Sequence, residues 1–175
     1  MNMEATTLRL QTLNYNTVKI YLVAALFIAG NLLLPQICHL VPNGGKILLP
    51  IYFFTLIGAY KYGWKAGLLI AVFSPLINSA LFGMPSAAVL PIILIKSVLL
   101  AGAAGFAAHK FGKISIPILI GVVLSYQIVG SMAEWALEGS FFKGMQDFRL
   151  AVPGMLIQVL GSYALIKYLV SNNEK

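Results

Sequence analysis

Gln127, Ser131, Glu134 and Glu138 punctuate an otherwise apolar stretch, Pro-Ile-Leu-Ile-Gly-Val-Val-Leu-Ser-Tyr-Gln-Ile-Val-Gly-Ser-Met-Ala-Glu-Trp-Ala-Leu-Glu, residues 117–138. Their spacing of four, three and four puts them on one stripe of a helix. A second stretch, FSPLINSALFGMPSAAVLPIILIKS over 73–97, carries Asn78 and Lys96 on either side of a Gly-Met-Pro turn. An unpaired lysine within an apolar span costs at least about 2.5–3.5 kcal/mol. Lys96 therefore calls for a counter-charge inside a bundle, and Glu134 lies within reach of a lysine stem that can snorkel. Amides, a hydroxyl and one ion pair are the equipment of a solute-binding pocket rather than of bond-breaking chemistry.

Catalytic signatures are missing. Pro42-Asn43-Gly44-Gly45-Lys46 lacks the first glycine that a phosphate-binding G-x-x-x-x-G-K-[ST] loop requires, and neither H-E-x-x-H nor Gly-x-Ser-x-Gly occurs. The two histidines, His39 and His109, are far apart, and His39 has no second ligand at metal-binding spacing. Cys38 is the single cysteine, which excludes an intramolecular disulfide and any cysteine-based zinc site. We expect no enzyme activity, no cofactor and no metal. ATP hydrolysis, if the function needs it, belongs to separate subunits.

The elements that must position these side chains are membrane helices. Hydrophobic residues make up 59% of the 175 and charged ones 10%, well under the quarter usual for a soluble domain. The chain reads as an all-α, polytopic membrane protein and a single integral domain over 1–175. Six helices are expected at 17–37, 46–61, 64–83, 86–108, 115–138 and 148–170, each near the ~20 residues that cross a hydrocarbon core. Pro50 near the start of the second suits a helix opening. The first has too long an apolar stretch for a signal peptide and Glu4 in a flank that should be basic, so it is expected to be retained.

Lysine and arginine orient the helices. With residues 1–16 as a cytoplasmic N-terminal segment, eight of the twelve basic residues (Arg9, Lys19, Lys61, Lys65, Lys110, Lys113, Lys167, Lys175) fall inside. Three (Lys46, Lys143, Arg149) fall outside, and Lys96 falls within the membrane. Both termini are expected in the cytoplasm. This placement accounts for the net charge of +7 without nucleic acid.

In that orientation the polar residues collect in the outer half. Lys96 is expected about 15 Å down its helix, close to the midplane. Tyr52, Asn78, Gln127 and Glu134 lie outward; Arg149 opens the last helix with Gln158 deeper; Asn43 belongs to the external linker. These eight form the candidate substrate-binding set. A pore or proton relay would need polarity through the full thickness. The plainer role for Ser131 or Gln127 is interhelical hydrogen bonding, for Glu138, Lys143 and Asp147 that of solvated linker charges. Trp64 and Trp135 suit the interfacial aromatic belt.

Phe73-Ser-Pro-Leu-Ile-Asn-Ser-Ala-Leu-Phe-Gly-Met-Pro85, followed by Leu90-Pro-Ile-Ile-Leu-Ile-Lys-Ser97, resembles the third-to-fourth-helix region of the substrate-binding S components of energy-coupling factor (ECF) type vitamin transporters. Size, six spans and cytoplasmic termini agree over nearly the whole chain. The resemblance implies a subunit of the cell membrane that captures a vitamin or cofactor precursor in an outward-facing pocket. It also implies delivery by toppling in the membrane, docked to a transmembrane coupling subunit that is joined to ATPases. Ala25 and Ala29 match the family's small-residue docking face on the first helix. Residues marking a thiamine, riboflavin or biotin binder are not present. Lys96 and Arg149, with Lys46 nearby, suggest an at least partly anionic ligand. The alternatives are a small integral membrane enzyme or assembly factor, or a stand-alone ion-coupled carrier.

Overall fold

A backbone surrounded by hydrocarbon must satisfy its own N–H and C=O groups, so long apolar runs become helices. In the computed structural model, residues 6–7, 12–40, 42, 44–139, 142 and 148–171 are described. Helix α1 covers Val18–Cys38, α2 Gly44–Leu48, α3 Phe53–Tyr62, α4 Trp64–Phe82, α5 Leu90–Phe111, α6 Ile116–Glu138 and α7 Val152–Ser171. Five of these, α1, α4, α5, α6 and α7, are long and apolar enough to cross a membrane. At ~1.5 Å per residue they reach roughly 28–35 Å, matching a ~30 Å core. Their outward faces stay apolar, with Leu22, Leu26, Leu33, Ile128, Met132, Leu156 and Leu160 all more than half exposed. Such a surface suits lipid and not water. The chain is a multi-pass helical membrane protein.

The segment expected as a continuous second span, 46–61, is broken. Helix α2 stops at Leu48, Leu49 takes a left-handed conformation (φ 49°, ψ 46°), a 3-10 turn covers Pro50–Tyr52, and α3 runs for 10 residues. Ten residues rise only about 15 Å, half a hydrocarbon core. The physical cause is local. Pro50 has no N–H to donate and disfavours helical backbone at Leu49, so a helix entering from α2 cannot continue through it. Helix α7 braces the break: a Cβ on Gly154 would stand 2.6 Å from the Ile47 carbonyl oxygen, so only glycine admits this backbone.

One end of the bundle is tied by hydrogen bonds between distant segments. Leu13 N–H donates to the Tyr62 carbonyl at 3.1 Å, Lys65 Nζ to Asn14 Oδ1 at 2.6 Å, and the Tyr60 hydroxyl to the Lys113 carbonyl at 2.8 Å. Thr6 and Thr7 pair antiparallel with Ile114 and Lys113, as short strands β1 (Thr6–Thr7) and β2 (Lys113–Ile114). The start of α4 and the ends of α3, α5 and α7 share this end. So do Lys19, Lys65, Lys110, Lys113 and Lys167. Lys61, grouped in the sequence with the loop cations, is instead 3% exposed and donates to the Leu169 carbonyl at 2.6 Å. There it complements the C-terminal dipole of α7.

The core between these helices mixes large side chains such as Leu56, Tyr60 and Ile70 with alanines. Ala101, Ala104 and Gly105 of α5 are buried, so this small-residue face packs within the chain. Ala25 and Ala29 of α1 are exposed.

Candidate functional site: a cavity at the opposite end of the bundle

At the other end, where α1 and α4 finish and α5 begins, a cavity of about 400 Å³ opens. That volume lies within the range of small-molecule sites. Pro35 and His39 of α1, Gly45 of α2, the Leu49–Tyr52 break, Asn78 of α4, Met84–Ser86, Val89, Ile92, Ile93 and Lys96, and Gln127 of α6 line it. The roof is the α4–α5 connection, held down by the Ser79 hydroxyl, which donates to the Pro85 carbonyl at 2.7 Å. Gly83 ends α4 in the left-handed region (φ 66°), turning the chain back over the cavity.

Four of the eight expected site residues meet here: Tyr52, Asn78, Lys96 and Gln127. Glu134 stands just behind, its Oε2 2.5 Å from Lys96 Nζ, with both side chains under a tenth exposed. The ion pair expected from the sequence is therefore present. Its depth differs. Helix α5 begins at Leu90 rather than at 86, so Lys96 is six residues, about 9 Å, into the helix and within its first third. Gly130 makes room for the lysine stem: a Cβ there would sit 2.6 Å from Lys96 Cγ.

The remaining three divide. Gln158 does not line the cavity; its Oε1 accepts from the Tyr126 hydroxyl at 2.9 Å, and its Nε2 reaches the Leu49 carbonyl at 3.5 Å. It supports the break that forms one wall. The Tyr126 ring lies 5.5 Å from that of Tyr52, so the same scaffold sets the wall's aromatic ring. Arg149 is exposed and does not line the cavity. Asn43 lies outside the described residues, as do Lys143, Asp147 and the side chains of Lys46 and Glu138.

A polar centre that the sequence reading passed over is Asn31. It is fully buried in α1, and its Nδ2 donates to Thr55 Oγ1 at 3.0 Å and Ser74 Oγ at 3.1 Å. Its Oδ1 accepts from Phe54 N–H at 3.2 Å, capping the start of α3, and its carbonyl accepts from Asn78 Nδ2 at 3.4 Å. One side-chain amide thus joins α1, α3 and α4, and the main-chain carbonyl of the same residue orients Asn78 at the cavity wall. The available signal was an asparagine in the middle of an apolar run.

Two wall residues are left incompletely satisfied. Asn78 Oδ1 and Gln127 Oε1 are buried and have no hydrogen-bond partner. A buried acceptor without a donor costs about 1–3 kcal/mol. Both side chains line the cavity, so a bound molecule would relieve the deficit once the amide turns toward it. Among the described residues no cluster of three or more His, Cys, Asp or Glu could hold a metal ion.

No protein-family model, curated protein or solved structure matches this chain. The class, a multi-pass helical membrane protein with a cavity at one end, rests on its own residues.

Proposed function

We propose that this chain is the substrate-binding subunit of an ATP-driven, ECF-type importer, taking up a vitamin or cofactor precursor from outside the cell. The observation that carries the reading is the cavity itself, which joins two underbonded amides and a paired lysine at one end of an apolar bundle. A pore would be polar from end to end, whereas the core beneath this cavity is built of residues such as Leu56, Ile70, Leu100 and Ala104. The gathering of Lys19, Lys65, Lys110, Lys113 and Lys167 at the far end supports a cytoplasmic position for that end and an external cavity. In this orientation the interrupted segment between Gly44 and Tyr62 completes the sixth crossing. The exposed Ala25 and Ala29 of α1 are then available to a coupling subunit, which ATPase subunits would drive.

Native mass spectrometry of protein extracted in mild detergent tests this directly. A retained small molecule, displaced on denaturation, is the expected result, together with co-purification of a membrane subunit and an ATPase. Concentrative uptake or chemical turnover by the purified chain alone would overturn the reading.

A further inference from the structure

We infer that the cavity is built for an uncharged, largely apolar heterocycle that presents N–H donors, and that it discriminates against carboxylates and phosphates. This rests on the reading of the chain as a solute-binding subunit and specifies what it binds.

Charge is the first ground. Among the described residues, Lys96 is the one lysine, arginine, aspartate or glutamate on the cavity wall. Its ammonium already lies against the Glu134 carboxylate, in a setting where less than a tenth of either side chain meets solvent. An anion entering the cavity would compete with Glu134 for that ammonium and bring a second negative charge close to the first in a poorly screened site. Arg149, the cation that would have balanced it, is exposed and does not line the cavity. His39, the other nitrogen base on the wall, is exposed at the rim, close against Gly45.

Hydrogen-bond polarity is the second ground. Asn78 spends an N–H on the Asn31 carbonyl and keeps Oδ1 without a donor; Gln127 keeps Oε1 without one. These two oxygens are what the wall leaves without a donor. Carboxylates and phosphates carry acceptors only, so they cannot supply the hydrogen that either oxygen lacks. A ring N–H, or an exocyclic amine, supplies the missing hydrogen once either amide turns its enclosed oxygen toward the cavity. The rest of the wall is aliphatic or prolyl, with the Tyr52 ring beside it, and suits the faces of a planar ring.

The test uses full-length protein in lipid nanodiscs and three probe pairs that differ by one carboxylate: uracil and orotate, nicotinamide and nicotinate, pterin and pterin-6-carboxylate. Calorimetric or thermal-shift titration reads the preference within each pair. The expected result is that at least one uncharged member binds, at least about tenfold more tightly than its carboxylated partner. Gln127→Leu should weaken that binding roughly fivefold, the value of one neutral hydrogen bond. The same variant should leave the empty protein as stable as the parent, or more so, because an unpaired acceptor is gone. A residue acting only as interhelical glue would lose stability instead. Tighter binding of the carboxylated members, or no binding by any pair, overturns the inference. A retained molecule in the native mass spectrum would then still uphold the binding-subunit reading, so the two can fail separately.

Discussion

Replacing Lys96 with methionine keeps the length of the side chain and removes its charge, which leaves Glu134 in place with its nearest cation gone. The pair is short, 2.5 Å between Nζ and Oε2, and both side chains are almost wholly enclosed. Breaking a buried pair by deleting one partner costs about 3–5 kcal/mol, mostly because the survivor stays charged and buried. For a chain of this size each kcal/mol moves the melting temperature by about 2–4 °C, so Lys96→Met should lower it by roughly 6–20 °C. Glu134→Gln should produce a loss of the same order. Removing both charges together, as Lys96→Met with Glu134→Leu, exchanges the pair for packed apolar atoms, and such exchanges are often neutral or stabilising. The double variant should therefore melt above either single variant. Fluorescence-detected thermal unfolding in a single detergent gives all four corners of the cycle. If the double variant loses as much as the two single losses added together, the charges are not coupled and the electrostatic account of position 96 is wrong.

Other consequences can be checked alongside it. Asn31→Leu removes the donor to Thr55 and Ser74 and the cap on Phe54 N–H; a loss of about 1–3 kcal/mol is expected from groups left unpaired, and solute affinity should fall because the start of α3, next to the Leu49–Tyr52 wall, loses its tie to α1. Undiminished affinity would separate this hub from the site. Gly154→Val forces a side chain against the Ile47 and Leu48 backbone and should destabilise the folded protein and deform the Leu49–Tyr52 wall, whereas an unchanged melting temperature would show that α7 does not brace the break. Ala25→Leu with Ala29→Leu should spare solute binding and stop uptake in cells, and normal uptake would discard the docking face. Cys38, at the cavity end of α1 and partly exposed, should react with a membrane-impermeant maleimide added to intact cells; labelling only after the cells are opened would reverse the orientation.

How much could be read in advance depended on what each residue reports. The five long helices were legible, four of them to within a residue or two at one end or both, because an unbroken apolar run has few other ways to satisfy its backbone. The Lys96–Glu134 pair was legible too. A buried cation has to find an anion, and the spacing along α6 put Glu134 on the same stripe as Gln127. The break at Leu49–Pro50 was harder, since a proline near the start of a span reads equally as an opening. Asn31 was passed over because a single amide in a greasy helix does not announce which neighbours it will meet. Arg149 suited the anionic ligand that the sequence suggested, yet charge along a chain does not say where a side chain ends up.

By itself, then, the order of residues determined the solvent of this protein and the need for a charge partner at position 96, both matters of transfer free energy that depend on side-chain chemistry alone. Only the packed helices decided which polar groups share a space. They brought Tyr52, Asn78, Lys96 and Gln127 from four segments to one wall, turned Gln158 into a buttress and left Arg149 outside. The reason is that a cavity is a property of neighbours distant in sequence: the approach of Gly130 to the Lys96 stem and of Gly154 to the α2 backbone exists only once the helices have met.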